Sequence, residues 1–248
     1  DAAAQRWAGV SLGPLFGLGY HHRRSGAEAP SPVPHSQRQR ALTHMAASIL
    51  LDYPTSEAMA KYPVVAGMLA ELPRPIATRL RGYLDQAEAV GADRLAEEYV
   101  KTFDLKRKCT LYLSYFLTGD TRKRGMALVS FVEAYRSAGY ELDAKELPDY
   151  LPIVLEFSAV GDAEVAGVLL SSNRDGLEVL REALGAMNSP WVEVVEAVTC
   201  TLPHVSGATR ERVLDLISGG PPMEMVGLDG RGQQDGELTG ASVGGDGR

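Results

Sequence analysis

The sequence predicts an all-α fold built as a single helical domain, and three observations carry that expectation. Apolar residues recur at i, i+3 and i+4, strand-type alternation is nearly absent, and Gly, Pro and Asp breakers fall at helix-length intervals. Leu42, Met45, Ala46, Ile49 and Leu50 form the first stripe, stopped at Asp52-Tyr53-Pro54. Ile76, Leu80, Tyr83, Leu84 and Ala87 form the second, ended at Gly91. Leu95, Tyr99 and Phe103 form the third, with Phe103 closing that helix. From Arg122 to Ala138 apolar residues (Met126, Leu128, Val129, Phe131, Val132, Tyr135) occupy almost the whole perimeter. That pattern predicts a central helix, with Gly139 just past its end. Later stripes run through Leu151, Val154, Leu155 and Ser158, then Leu177, Leu180 and Leu184. Trp191, Val194, Val195 and Val198 follow, and Val213, Leu216 and Ile217 come last. No repeat of fixed period is present.

These stripes place the helical domain at 36–217. The Gly-, Pro- and Ser-rich stretch within 1–35 is expected to be a flexible extension, and 218–248 a disordered Gly-rich tail. Neither carries enough apolar surface to offset the entropy of ordering.

The chain has 248 residues, 45% hydrophobic and 23% charged, as in an ordinary soluble protein. A domain of this size needs no disulfide or metal staple. The net charge of −7 argues against a nucleic-acid or anionic-membrane binder, since both demand a dominant positive field. No apolar run reaches the roughly 18 residues of a membrane span, so direct membrane insertion is not expected. Arg23 and Arg24 follow the N-terminal apolar stretch instead of preceding it, unlike a signal peptide. Cys109 and Cys200 stand in no CxxC spacing, which fits a reducing compartment. The expected location is cytoplasmic.

Catalytic chemistry is hard to assemble from these residues. His21, His22, His35, His44 and His204 offer no i, i+4 ligand pair, so they read as solvated and no metal site is expected. No GxSxG, P-loop or GxGxxG motif is present. Lys106, Arg107 and Lys108 could lower the Cys109 thiol, but a small core-facing residue is the preferred reading. The expectation is a protein that is not an enzyme.

Three segments are more specific. In YVKTFDLKRKCTLYLSYF (99–116), Asp104 after Phe103 is positioned to cap the next helix. In GDTRKRG (119–125), Gly119 makes the turn and Asp120 caps. Arg122, Lys123 and Arg124 then oppose the helix dipole, so capping alone does not explain them. In ELPDYLPIVLEF (146–157), Asp149 as N-cap puts Pro152 at N3, where its missing N–H costs nothing, and Pro148 fixes the approach.

In this order and spacing these segments resemble the NarJ-type nitrate reductase molybdenum cofactor assembly chaperones. ASILLDYP (47–54) is similar to that family's first helix and its end, and the resemblance covers roughly 40–200. More loosely the chain is similar to the TorD/DmsD-like chaperones of molybdoenzymes. They carry Pro-Asp-His-Leu where this chain has Pro148-Asp149-Tyr150-Leu151, so Tyr150 supplies no imidazole. The resemblance implies an all-helical chaperone whose client is the α subunit of a membrane-bound nitrate reductase. It would bind the client's N-terminal segment while molybdopterin guanine dinucleotide is inserted, holding back membrane docking. It implies no stably bound cofactor, and cofactor-biosynthesis proteins as further partners.

The expected client-binding residues are Tyr112, Tyr115, Phe116, Arg122, Arg124, Glu146, Asp149, Tyr150, Leu151 and Leu155. Phe103, Asp104, Gly119, Asp120, Gly125, Pro148 and Pro152 are read as structural. The aromatics serve equally as a packed core, and the arginines as a solvated face or as bidentate partners of phosphate or carboxylate. Glu146, Asp149 and Tyr150 form the favoured patch, with an amphipathic client segment lying between the motif-bearing helices. The alternatives are a chaperone for another molybdoenzyme, a nucleic-acid-binding regulator resting on 106–108 and 122–124, and a nucleotide hydrolase.

Overall fold

The computed structural model describes residues 30–142 and 146–202. The expected stripe at Val213, Leu216 and Ile217, the Gly-rich tail, and His21, His22 and His204 lie outside the described residues.

Helices α1 (Gln37–Leu51), α2 (Ser56–Met59), α3 (Tyr62–Met68), α4 (Arg74–Val90) and α5 (Ala92–Tyr99) form the first half. A π-helical turn (Val100–Asp104) continues α5. Then come α6 (Tyr115–Thr118), α7 (Arg122–Ser137), α8 (Leu151–Val160), α9 (Ala163–Ser172), α10 (Arg174–Ala186) and α11 (Trp191–Thr199). The all-α expectation holds. The described residues contain no strand, and their one isolated bridge joins Tyr112 to Tyr150 in antiparallel sense.

Helix α1 starts on a capping box: Gln39 N–H donates to Ser36 Oγ (3.1 Å), and Ser36 N–H donates to Gln39 Oε1 (2.9 Å). Just ahead of it, Val33 N–H donates to the Cys200 carbonyl (2.8 Å), and Val33 packs on the core. Helix α4 ends at Gly91, where φ is 81°. Gly139, at φ 82°, follows the C-cap of α7 as expected.

The centre of the molecule is α1 packed on α8 and α11, with α4 and α10 against α11. Trp191 is fully buried there. Its Nε1 donates to the Leu50 carbonyl (3.1 Å), and its ring meets Tyr83, Tyr99 and Phe103 at 6.0, 5.6 and 5.2 Å. Aromatic pairs at these separations add to burial. An ionic cluster lies under the same helix: Glu196 takes Arg79 (3.1 Å) and Arg181 (3.6 Å), and Glu178 takes Arg174 and Arg181 at 2.8 Å each. Buried charges persist only when paired in this way.

Two expectations are corrected. His44 is not solvated: it is buried on α1, with Nδ1 2.7 Å from Ser158 Oγ and Nε2 2.8 Å from Thr201 Oγ1. Burial, with nearby Arg40 and His35, lowers its pKa to about 3, so the ring is neutral. Helix α7 is not central. Phe131 and Tyr135 are its buried side chains, while Met126 and Val129 are 70% and 55% exposed. Its apolar residues are spread round the axis, but packing partners cover one edge alone.

Candidate functional site

The three motif segments meet at the mouth of α8. Leu113 N–H donates to the Asp149 carbonyl (3.0 Å) and Leu151 N–H to the Leu111 carbonyl (2.8 Å), pinning 111–114 alongside 149–151. Asp149 is not the N-cap of α8. It is fully buried and turns inward, where its Oδ2 accepts from Ser114 N–H (3.1 Å) and Ser114 O–H (2.6 Å). Its Oδ1 is buried without a hydrogen-bond partner among the described residues. Tyr150 is the N-cap instead, with no side-chain cap bond, and Pro152 falls at N2. The helix start remains satisfied, because Leu151 N–H reaches Leu111, Pro152 has no N–H, and Ile153 and Val154 donate to the Tyr150 carbonyl (3.0 and 3.1 Å). Pro148, buried, accepts from Tyr135 O–H (2.6 Å).

The two other expected caps also differ. Asp104 ends the π-helical turn and is exposed; Lys106 precedes the next short turn without a side-chain cap. Thr121 caps α7 through Oγ1 to Lys123 N–H (3.3 Å), while Asp120 pairs with Arg124 (3.4 Å). In both places the carboxylate stands one or two residues too early to reach the orphan N–H groups. Gly119 does make the turn, at φ 57° and ψ −157°. Gly125 lies on an open face of α7, where a Cβ would meet nothing.

Around this staple lies a partly exposed aromatic patch. The Tyr112 and Tyr150 rings are 5.5 Å apart, and Tyr112 O–H donates to Glu146 Oε1 (2.9 Å). Tyr150 Oη lies 3.0 Å from Tyr99 Oη and 3.5 Å from Asp52 Oδ1; Tyr99 O–H donates to the Leu51 carbonyl (3.0 Å). Tyr53 stands edge-on to Tyr99 at 5.3 Å and is 42% exposed. The Arg124 guanidinium sits over the rings of Tyr112 (5.5 Å) and Tyr115 (5.7 Å). Burial and the Glu146 bond push Tyr112 up to about 12; burial raises Tyr150 and Tyr99 further. All three phenols stay neutral donors at physiological pH. The patch therefore offers rings, hydroxyls and carboxylates for binding.

The expected client-binding residues divide. Tyr112, Arg124, Glu146 and Tyr150 share this face, and Arg122 is exposed at the start of α7. Phe116, Leu151 and Leu155 are 1%, 0% and 0% exposed and belong to the core, as do Tyr115 and Phe103. Phe116 packs so closely on α10 that a Cβ at Gly176 would stand 2.7 Å from its ring. Asp52 and Tyr53, read as a helix stop, and Tyr99, read as core, were missed as patch residues. Their signal was position, since they close the helices that converge here.

A second feature lies further along α8, whose N-cap is Tyr150. A pocket of about 230 Å³ lies between the end of α7, the segment after it and the outer side of α8. Tyr135, Tyr140 and Leu142 form one wall, and Ile153, Phe157 and Val160 the other, with Glu141 and Glu156 as its two carboxylates. Cys109, by contrast, is buried and its thiol is pushed up to about 11 by desolvation, the core-facing role expected of it. Among the described residues no group of three or more His, Cys, Asp and Glu is placed to hold a metal, and no helix is long and apolar enough to cross a membrane.

A family model described as "Nitrate reductase delta subunit" matches residues 69–196. The chain is 31% identical over 175 residues to the probable nitrate reductase molybdenum cofactor assembly chaperone NarJ of Bacillus subtilis, covering 70% of this chain and 94% of that protein. It is 36% identical over 169 residues to the nitrate reductase-like protein NarX of Mycobacterium tuberculosis, covering 68% of this chain and 26% of that much longer one. Over 62 residues it is 39% identical to the nitrate reductase molybdenum cofactor assembly chaperone NarJ of Escherichia coli, a quarter of each chain (25% and 26%).

Proposed function

The chain belongs to the nitrate reductase delta subunit family, and from that membership we propose that it is the assembly chaperone of a respiratory nitrate reductase. It binds the apo form of the catalytic α subunit through that subunit's N-terminal segment. It keeps the client open while molybdopterin guanine dinucleotide is inserted, and delays docking to the membrane until maturation is complete. The cofactor passes to the client and is not held stably by the chaperone. Cofactor-biosynthesis proteins are the natural further partners, and the cytoplasm is the place of action.

The observation that supports this reading is the convergence of Asp52, Tyr53, Tyr112, Arg124, Glu146 and Tyr150 on one face, from segments far apart in sequence. Rings with neutral hydroxyls and rim carboxylates suit recognition of a peptide. The nucleic-acid alternative is weakened because Arg124 is engaged by two rings and Asp120.

Calorimetric titration with the N-terminal peptide of the cognate α subunit tests the client assignment. The expected result is micromolar or tighter binding, about −8 kcal/mol, with a negative heat-capacity change and weakening by Tyr150→Ala. A folded protein that leaves this peptide unbound would show that the N-terminal segment is not what it recognises.

A further inference from the structure

The outer side of α8 carries the aromatic patch onward. Tyr150 stands at its mouth, and Ile153, Glu156, Phe157 and Val160 follow at helical spacing toward its end. Ten residues of helix span about 15 Å. An outward face would ordinarily be polar, yet Val160 is 62% exposed and Tyr140, beside it, 42%.

The pocket opens into this stripe. An apolar cavity of about 150 Å³ takes up benzene, so one of about 230 Å³ receives a large aliphatic or aromatic side chain. Its walls are braced before anything enters. The Phe157 ring is held edge-on by Tyr135 (4.8 Å) and Tyr140 (5.4 Å). Tyr140 O–H donates to the Val160 carbonyl (3.2 Å), and Tyr135 O–H to the Pro148 carbonyl (2.6 Å). That last bond ties the pocket to the segment that builds the patch. Glu141 and Glu156, both exposed, border the opening. A cation arriving beside an apolar side chain would find both needs met.

We propose that this pocket is the anchor point of the client segment. One large apolar side chain enters between Tyr140, Ile153 and Phe157. A Lys or Arg one helical turn away pairs with Glu156 or Glu141, and the rest of the segment runs along α8 to Tyr150. The proposal rests on the client reading above and adds to it the chemistry of what is recognised: an amphipathic segment that is apolar and cationic. The pocket's place on the helix that Tyr150 opens, its bond to Pro148 and the sign of its rim argue for such a peptide over a second copy of this acidic chain.

The test compares two helix-forming model peptides, each with a single Phe flanked at i−4 and i+4 by Lys in one and Glu in the other, alongside the cognate client peptide. The protein is used as wild type, Val160→Asp, the double variant Glu141→Lys/Glu156→Lys, and Val64→Asp, a control at an equally exposed valine on α3 (60%). Circular dichroism checks the fold of each. The Lys peptide should bind wild type at least about tenfold tighter than the Glu peptide. Val160→Asp should abolish that binding, Val64→Asp should leave it, and the double variant should reverse the preference. Equal affinity for both peptides, or a client peptide that binds Val160→Asp as well as wild type, overturns the anchor while leaving the client assignment intact. A Lys peptide that behaves as expected while the client peptide fails overturns the client assignment and leaves the pocket. Self-association abolished by Val160→Asp, with no peptide binding, gives the pocket to a second copy and overturns the proposal.

Discussion

Helices α7 and α11 both have apolar residues on nearly every side, yet one lies at the periphery and the other at the centre. In α11 every residue but Glu193 is buried, and its Glu196 is neutralised by Arg79 and Arg181 from α4 and α10. In α7 two side chains are buried, and three cations crowd its first turn. The lesson is that an apolar perimeter does not rank helices by depth. Bulk and neutralised charge do so better: α11 brings Trp191 and four valines whose branched side chains fill space without leaving gaps.

The contrast can be broken by experiment. Trp191→Ala should cost about 3–5 kcal/mol in urea unfolding, through the cavity and the lost bond to Leu50. A loss under about 1 kcal/mol would mean that α11 is not the keystone.

The next largest effect is a pH dependence from His44, which packs between α8 and the end of α11. Its folded pKa, about 3, lies below the ordinary imidazole value of 6.5. The unfolded chain therefore binds more protons between those values, so the contribution of His44 to stability is fully present above 6.5 and declines as pH falls toward 3. His44→Asn should flatten the slope of unfolding free energy in that window. An unchanged slope would move the acid sensitivity to the carboxylates.

On α7 the effects should shrink and change sign. Gly125→Ala should stabilise by about 0.5–1 kcal/mol, since a helix-interior glycine is costly and the space is open. Met126→Lys should fall within about 0.5 kcal/mol of wild type by thermal melting. A larger loss would show that this face is covered in solution.

Sequence periodicity revealed the helices well, because stripes and stops are local: Asp52, Gly91 and Gly139 end their elements as expected. Which side of a motif faces inward was not legible. Asp149 and Tyr150 are neighbours with opposite fates, one buried on Ser114 and the other in the surface patch. That choice is made by Leu111 and Leu113, more than thirty residues away, through backbone bonds that carry no side-chain signature. For the same reason Leu151 and Leu155 read from sequence as a groove wall, although both are fully buried. The pocket was invisible because Tyr140 and Phe157 come from elements that sequence alone does not place together.

The bonds from His44 to Ser158 and Thr201 span 114 and 157 positions of chain. They set a schedule for the protein's own birth. At roughly 5–20 residues per second of synthesis, α1 waits about 8 to 31 s on the ribosome before both partners exist. Through that interval the sides of α1 that α8 and α11 cover lack their native partners, so the first helix made is among the last to be enclosed.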